Sequence, residues 1–64
     1  MNLKTITLSI DLDENEAWEF SQFLKRAGFS TYREFAESED QAYCMVGVGE
    51  KIRKALAEKG FAPR

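Results

Sequence analysis

Histidine is absent from the 64 residues, and cysteine and proline occur once each, as Cys44 and Pro63. Without histidine the commonest general base is missing, together with every Ser/His or Cys/His nucleophile arrangement. One cysteine forms no intrachain disulfide, and the Cys/His sets of structural zinc cannot be assembled. A lone thiol fits a reducing compartment, and no long apolar run serves as signal peptide or membrane span. These absences predict a soluble, cytoplasmic protein that is not an enzyme, holds no cofactor or metal and has no membrane partner. A chain of this length makes one domain, residues 1–64, and buries a smaller fraction of its surface than a longer chain does. With disulfide and metal excluded, oligomerisation is the remaining means of stabilising it.

What is present is charge arranged in blocks, beneath a formal net charge of only −2. Residues 11–19 hold Asp11, Asp13, Glu14, Glu16 and Glu19 with no cation, and residues 34–50 hold Glu34, Glu37, Glu39, Asp40 and Glu50 with none. Lys25, Arg26 and Arg33 form one basic group, and Lys51, Arg53, Lys54, Lys59 and Arg64 another. Two readings stand side by side: one-signed faces that steer an oppositely charged partner, or solvated helix faces matched to the helix dipole.

From Lys4 to Leu12 the chain alternates strictly, with Ile6, Leu8, Ile10 and Leu12 on one parity and Thr5, Thr7, Ser9 and Asp11 on the other. The alternation predicts a half-buried strand. Asp13 with Glu16 gives a capping-box variant, so a first helix follows to about Ala27, with Ala17, Phe20, Phe23, Leu24 and Ala27 inward and Gly28 as a left-handed cap. Thr31 with Glu34 predicts a short second helix over Tyr32 to about Glu37, with Phe35 and Ala36 inward. Ser38 with Gln41 opens a third helix from about Glu39 to Lys59, with Ala42, Met45, Val46, Ile52 and Leu56 inward and Gly60 as its stop. Gly47 and Gly49 inside it imply a bend or the close approach of another element. The expected class is α+β, in the order β-α-α-α. A single strand leaves backbone groups unpaired, so a homodimer ribbon through Thr5, Thr7 and Ser9 is the expected remedy, with the tail Phe61 to Arg64 as the other candidate partner.

Asp13, Glu14 and Glu16 crowd together, but a helix start explains acidic residues without catalysis. They lack the glycine and twelfth-position glutamate of an EF-hand loop. Gly47-Val48-Gly49-Glu50-Lys51 has neither the third glycine of a dinucleotide fingerprint nor the Lys-Ser/Thr ending of a P-loop, so helix packing accounts for it better. Cys44 reads as a small apolar filler beside the buried stripe. Trp18 falls off the main stripe of helix one, which makes it either an interface anchor or a residue covered by another element.

In layout, Thr5 to Ser9 followed by Asp13 to Phe35 is similar to the ribbon-helix-helix regulators. In that family the outward ribbon residues read the major groove and the second helix start holds phosphate, a place that Ser30, Thr31 and Arg33 would occupy. The outward residues here are uncharged or acidic, and phosphate affinity comes mainly from cations, so direct DNA binding is the lesser expectation.

Phe23-Leu24-Lys25-Arg26-Ala27-Gly28-Phe29, Tyr32-Arg33, Glu39-Asp40-Gln41-Ala42-Tyr43, Ile52-Arg53-Lys54-Ala55-Leu56-Ala57 and the ending Gly60-Phe61-Ala62-Pro63-Arg64 resemble a family of short uncharacterised proteins carried by bacterial prophages and other mobile elements. Mobile elements encode small acidic proteins that disable host defences, anti-CRISPR proteins among them. The resemblance therefore implies an inhibitor acting by contact on a host protein or nucleic-acid-binding complex. Asp13, Glu14, Glu19, Glu34, Glu37, Glu39 and Asp40 would stand in for phosphates and Trp18 would supply an apolar contact. The alternative expectation is a dimeric ribbon-helix-helix regulator of DNA.

Overall fold

Asp13 and Glu16 close a reciprocal capping box. Asp13 Oδ1 accepts from the Glu16 amide at 2.7 Å, and Glu16 Oε1 accepts from the Asp13 amide at 3.0 Å. Two amides without intrahelical partners are thereby satisfied, and helix α1, Glu14–Arg26, starts where the sequence predicts. The computed structural model describes residues 3–64, and its further elements are α2, Phe29–Phe35, and α3, Glu39–Glu58. Ser38 Oγ accepts from the Gln41 amide at 3.1 Å to open α3, again as the spacing predicts.

Helix α3 closes on a Schellman motif. Gly60 takes φ 99°, its amide donates to the Ala57 carbonyl at 3.0 Å, and the Phe61 amide reaches back to the Leu56 carbonyl at 2.9 Å. Gly28 behaves differently from the expectation. Its φ of −102° and ψ of −178° are extended, not left-handed, and it serves as the N-cap of α2. Thr31 lies inside α2 as its third residue, and its hydroxyl accepts from the Gly28 amide at 3.4 Å. The helix consequently begins three residues before the predicted Tyr32.

The expected α+β class is not what forms: among the described residues there is no strand, and the fold is all-α with three helices. Lys4 to Leu12 carry neither helix nor strand, and Ile6 is 80% exposed. Alternation specifies which residues share a face only once a neighbouring strand supplies the hydrogen-bond ladder, and neither the tail nor any other described segment provides one. Thr5, Thr7 and Ser9 are exposed members of an arm with which no described segment of the chain pairs.

Helix α3 is the platform: α1 and α2 each lie against it and not against one another. Trp18, early in α1, meets Phe61 beyond the end of α3, with ring centroids 6.1 Å apart. Phe23 and Leu24, late in α1, share a groove with Cys44 and Met45 of early α3. The two helices therefore run antiparallel. Helix α2 docks through Phe29, whose ring lies 4.6 Å from that of Tyr43. The buried apolar residues are Ala17, Leu24, Ala42 and Leu56, with Phe61 packed on the cluster of Ala17, Leu24 and Leu56.

This core is smaller than the predicted stripes. Helix α1 buries Ala17, Ser21 and Leu24, while Phe20 and the half-exposed Phe23 face outward beside them. Phe35, expected inward, is 76% exposed, because α2 ends there, and Cys44, expected as a filler, is exposed too. The Cα trace measures 35 × 29 × 15 Å, with a radius of gyration of 13.1 Å. A 64-residue domain of ordinary shape has about 11 Å. The accessible surface is 5768 Å², where a 7.3 kDa monomer ordinarily exposes roughly 4,200 Å². One layer of helices covers only one side of its own apolar residues.

Candidate functional site

The uncovered side is a continuous apolar face. A groove of about 1180 Å³ runs between the arm and the α1/α3 pair, with Leu8, Ile10 and Leu12 on one wall and Phe20, Ile52 and Leu56 on the other. A second, of about 410 Å³, continues it toward Tyr32 and is lined by Phe23, Met45 and Val48. Phe20 and Ile52 belong to both. The Phe20 and Phe23 rings stack with centroids 5.5 Å apart, which stiffens the α1 side of the face. Its lips differ in sign: Glu16 and Glu19 stand on α1, and Lys51 and Lys59 stand on α3 and at its end.

The acidic residues singled out in the sequence are all exposed, but they do not form one surface. Antiparallel packing sets Asp13, Glu14 and Glu19 beside the C-terminal part of α3, as the Trp18–Phe61 contact shows. Glu37, Glu39 and Asp40 surround the N-terminus of α3, with Glu34 in α2 just before them. The 20 residues of α3 put about 30 Å between its ends, so the two clusters are separate. The first lies beside the basic residues of late α3, and the Asp13 carboxylate is engaged in the α1 cap.

The second cluster is the more one-signed. Arg33 is its nearest cation in sequence, yet Arg33 Nη1 donates to the Ala36 carbonyl at 3.0 Å and not to a carboxylate. Among the described residues the ion pair formed is Arg53 with Glu50, at 3.7 Å within α3. Glu34, Glu37, Glu39 and Asp40 therefore present their charge to solvent. Trp18 meets Phe61 of the tail on one side and stays 41% exposed.

The chain belongs to DUF7706, a family of unknown function that it matches over residues 1–64. No curated protein and no solved structure matches it. Membership in DUF7706 extends to the whole chain, so the arm and the helices fall within one family unit. Among the described residues no group of three or more His, Cys, Asp and Glu is placed to hold a metal ion. Among the described residues no helix is long and apolar enough to cross a membrane.

Sequence reasoning missed the apolar face because it assigned Phe20, Phe23 and Ile52 to the core. The signal was there in the stripes themselves. The periodicity puts five apolar positions inward on each of helices one and three, more than two helices meeting along one seam enclose.

Proposed function

We propose that the protein works by contact, as an inhibitor of a host defence complex that handles nucleic acid, and that the edge of Glu34, Glu37, Glu39 and Asp40 is the surface it offers. The supporting observation is that four carboxylates within seven residues are exposed, with Arg33 the single cation in the neighbouring sequence and its Nη1 on the Ala36 carbonyl, not on a carboxylate. A basic groove built for phosphates is attracted to such an edge, and the attraction raises the association rate as well as selecting the partner. The resemblance to short mobile-element proteins supports the host-defence setting. The cluster of Asp13, Glu14 and Glu19 has a smaller part in this reading, since neighbouring cations of α3 offset it.

The test is charge reversal at Glu34, Glu37, Glu39 and Asp40 together, with inhibition of defence in cells and capture of the partner from host lysate as readouts. The expected result is loss of both, with helical content retained by circular dichroism. Unchanged inhibition by the folded variant overturns the proposal.

A further inference from the structure

We infer that the apolar face is covered by a second copy of the same chain, in a twofold dimer whose axis lies in the plane of the face and runs parallel to α1 and α3. The inference is independent of the acidic edge, which lies at the far end of α3 from the charged lips of the main groove.

Three observations carry it. The first is area. The chain exposes about 1,600 Å² more than a monomer of its mass ordinarily does, and a standard interface hides roughly 800 Å² per partner. That excess is shared by the arm, whose Leu3, Ile6, Leu8 and Ile10 are 70–84% exposed, and by the apolar face, and it exceeds what one standard interface hides. The second is shape. Helices α1 and α2 each lie against α3 and not against one another, so no helix of the chain closes the groove between the arm and the α1/α3 pair, and a second layer laid on that face gives the two-layer architecture on which small cores depend.

The third is charge. An isologous contact brings one patch against itself, so the patch has to be self-complementary. The axis stated here sets α1 of one copy over α3 of the other at the same height. Glu16 and Glu19 of each chain then face Lys51 and Lys59 of the other. An axis across the helices would instead stack α1 on α1 and oppose like charges. The lips thus select one geometry, and Phe20 and Ile52, shared by both grooves, fall near its centre.

Sedimentation equilibrium of the full chain across micromolar concentrations tests the inference. The expected species has twice the 7.3 kDa chain mass. Ile52→Glu, at a position 41% exposed in the single chain, should weaken association by at least about a hundredfold, since it buries a charge at the seam. Glu19→Lys and Lys51→Glu should each weaken it several-fold, and the two together in one chain should restore it, a rescue that loss of folding does not mimic. A folded monomer at these concentrations, with the arm closed on its own groove, overturns the inference. So does a dimer indifferent to all three changes.

Discussion

Tyr32 of α2 lays its phenol against the bare backbone of α3 at Gly49. A Cβ built on Gly49 would run into the Tyr32 hydroxyl and come within 3.1 Å of Cζ, whereas one built on Gly47 meets nothing within 4 Å. Of the two mid-helix glycines, then, Gly49 admits a neighbouring element and Gly47 has no packing role. Alanine is favoured over glycine in a helix by about 1 kcal/mol, so Gly47→Ala should raise stability by about that much. Gly49→Ala makes the same helical gain but displaces Tyr32, an overpacking cost of about 1–3 kcal/mol, and should be net destabilising. Chemical denaturation of both variants, repeated in a Tyr32→Phe background where the Gly49→Ala penalty should shrink, checks the argument.

The tail is held by the same kind of local requirement. Gly60 sits at φ 99°, and this turn delivers Phe61 to Leu56 and Trp18. Alanine in the left-handed region costs about 1–2 kcal/mol, so Gly60→Ala should destabilise by about that amount. It should also loosen Phe61 from Trp18. Trp18 is the sole tryptophan, and its emission should shift to longer wavelength in both Gly60→Ala and Phe61→Ala. Unaltered emission would show that the tail does not cover the indole.

Local chemistry was the legible part of this sequence. Asp13 with Glu16, Ser38 with Gln41, and Gly60 each fix a helix end through atoms only a few residues apart, and all three stand where spacing places them. Thr31, which the spacing with Glu34 places before its helix as a cap, acts from inside it, because the hydroxyl reaches the Gly28 amide from the third helical position. The strand failed for a different reason. Periodicity over Lys4 to Leu12 describes one side of a pairing, and the other side is not within the described chain. The stripes of α1 and α3 fail in the same way: helical spacing says which apolar residues share a face, not what covers it, and α1, packed on α3 alone, buries only Ala17, Ser21 and Leu24. At the candidate surface the residue types of the acidic edge were legible, but its separation from Asp13, Glu14 and Glu19 depends on the antiparallel packing.

The two N-caps should differ in what their loss reports. Each of Asp13→Ala and Ser38→Ala should cost about 1 kcal/mol, the usual worth of a side-chain cap. At the α1 start the box is reciprocal, so Asp13→Ala and Glu16→Ala should be non-additive, the double variant costing less than the sum. At the α3 start the Gln41 side chain also accepts from the Glu37 amide at 2.6 Å, which holds the acidic edge in place. Gln41→Ala should accordingly loosen the Glu37 region, seen as faster amide exchange there, with little change at the α1 start.

Ser21 is fully buried in the centre of the α1 stripe, where α1 lies against α3, and its hydroxyl donates to the Ala17 carbonyl at 2.7 Å. The residue is polar, yet it needs no partner from another element, because the bond is made within its own helix one turn back. Its contribution to the contact is small volume. Ser21→Ala keeps that volume and removes a group that competes with the backbone, so stability should stay within about 0.5 kcal/mol of the parent or rise slightly. Ser21→Leu adds bulk where α1 rests on α3 and should destabilise by about 1–3 kcal/mol through overpacking. Should Ser21→Leu prove neutral in urea denaturation, the close seating of α1 on α3 at this position would be wrong, and with it the narrow core on which the uncovered apolar face depends.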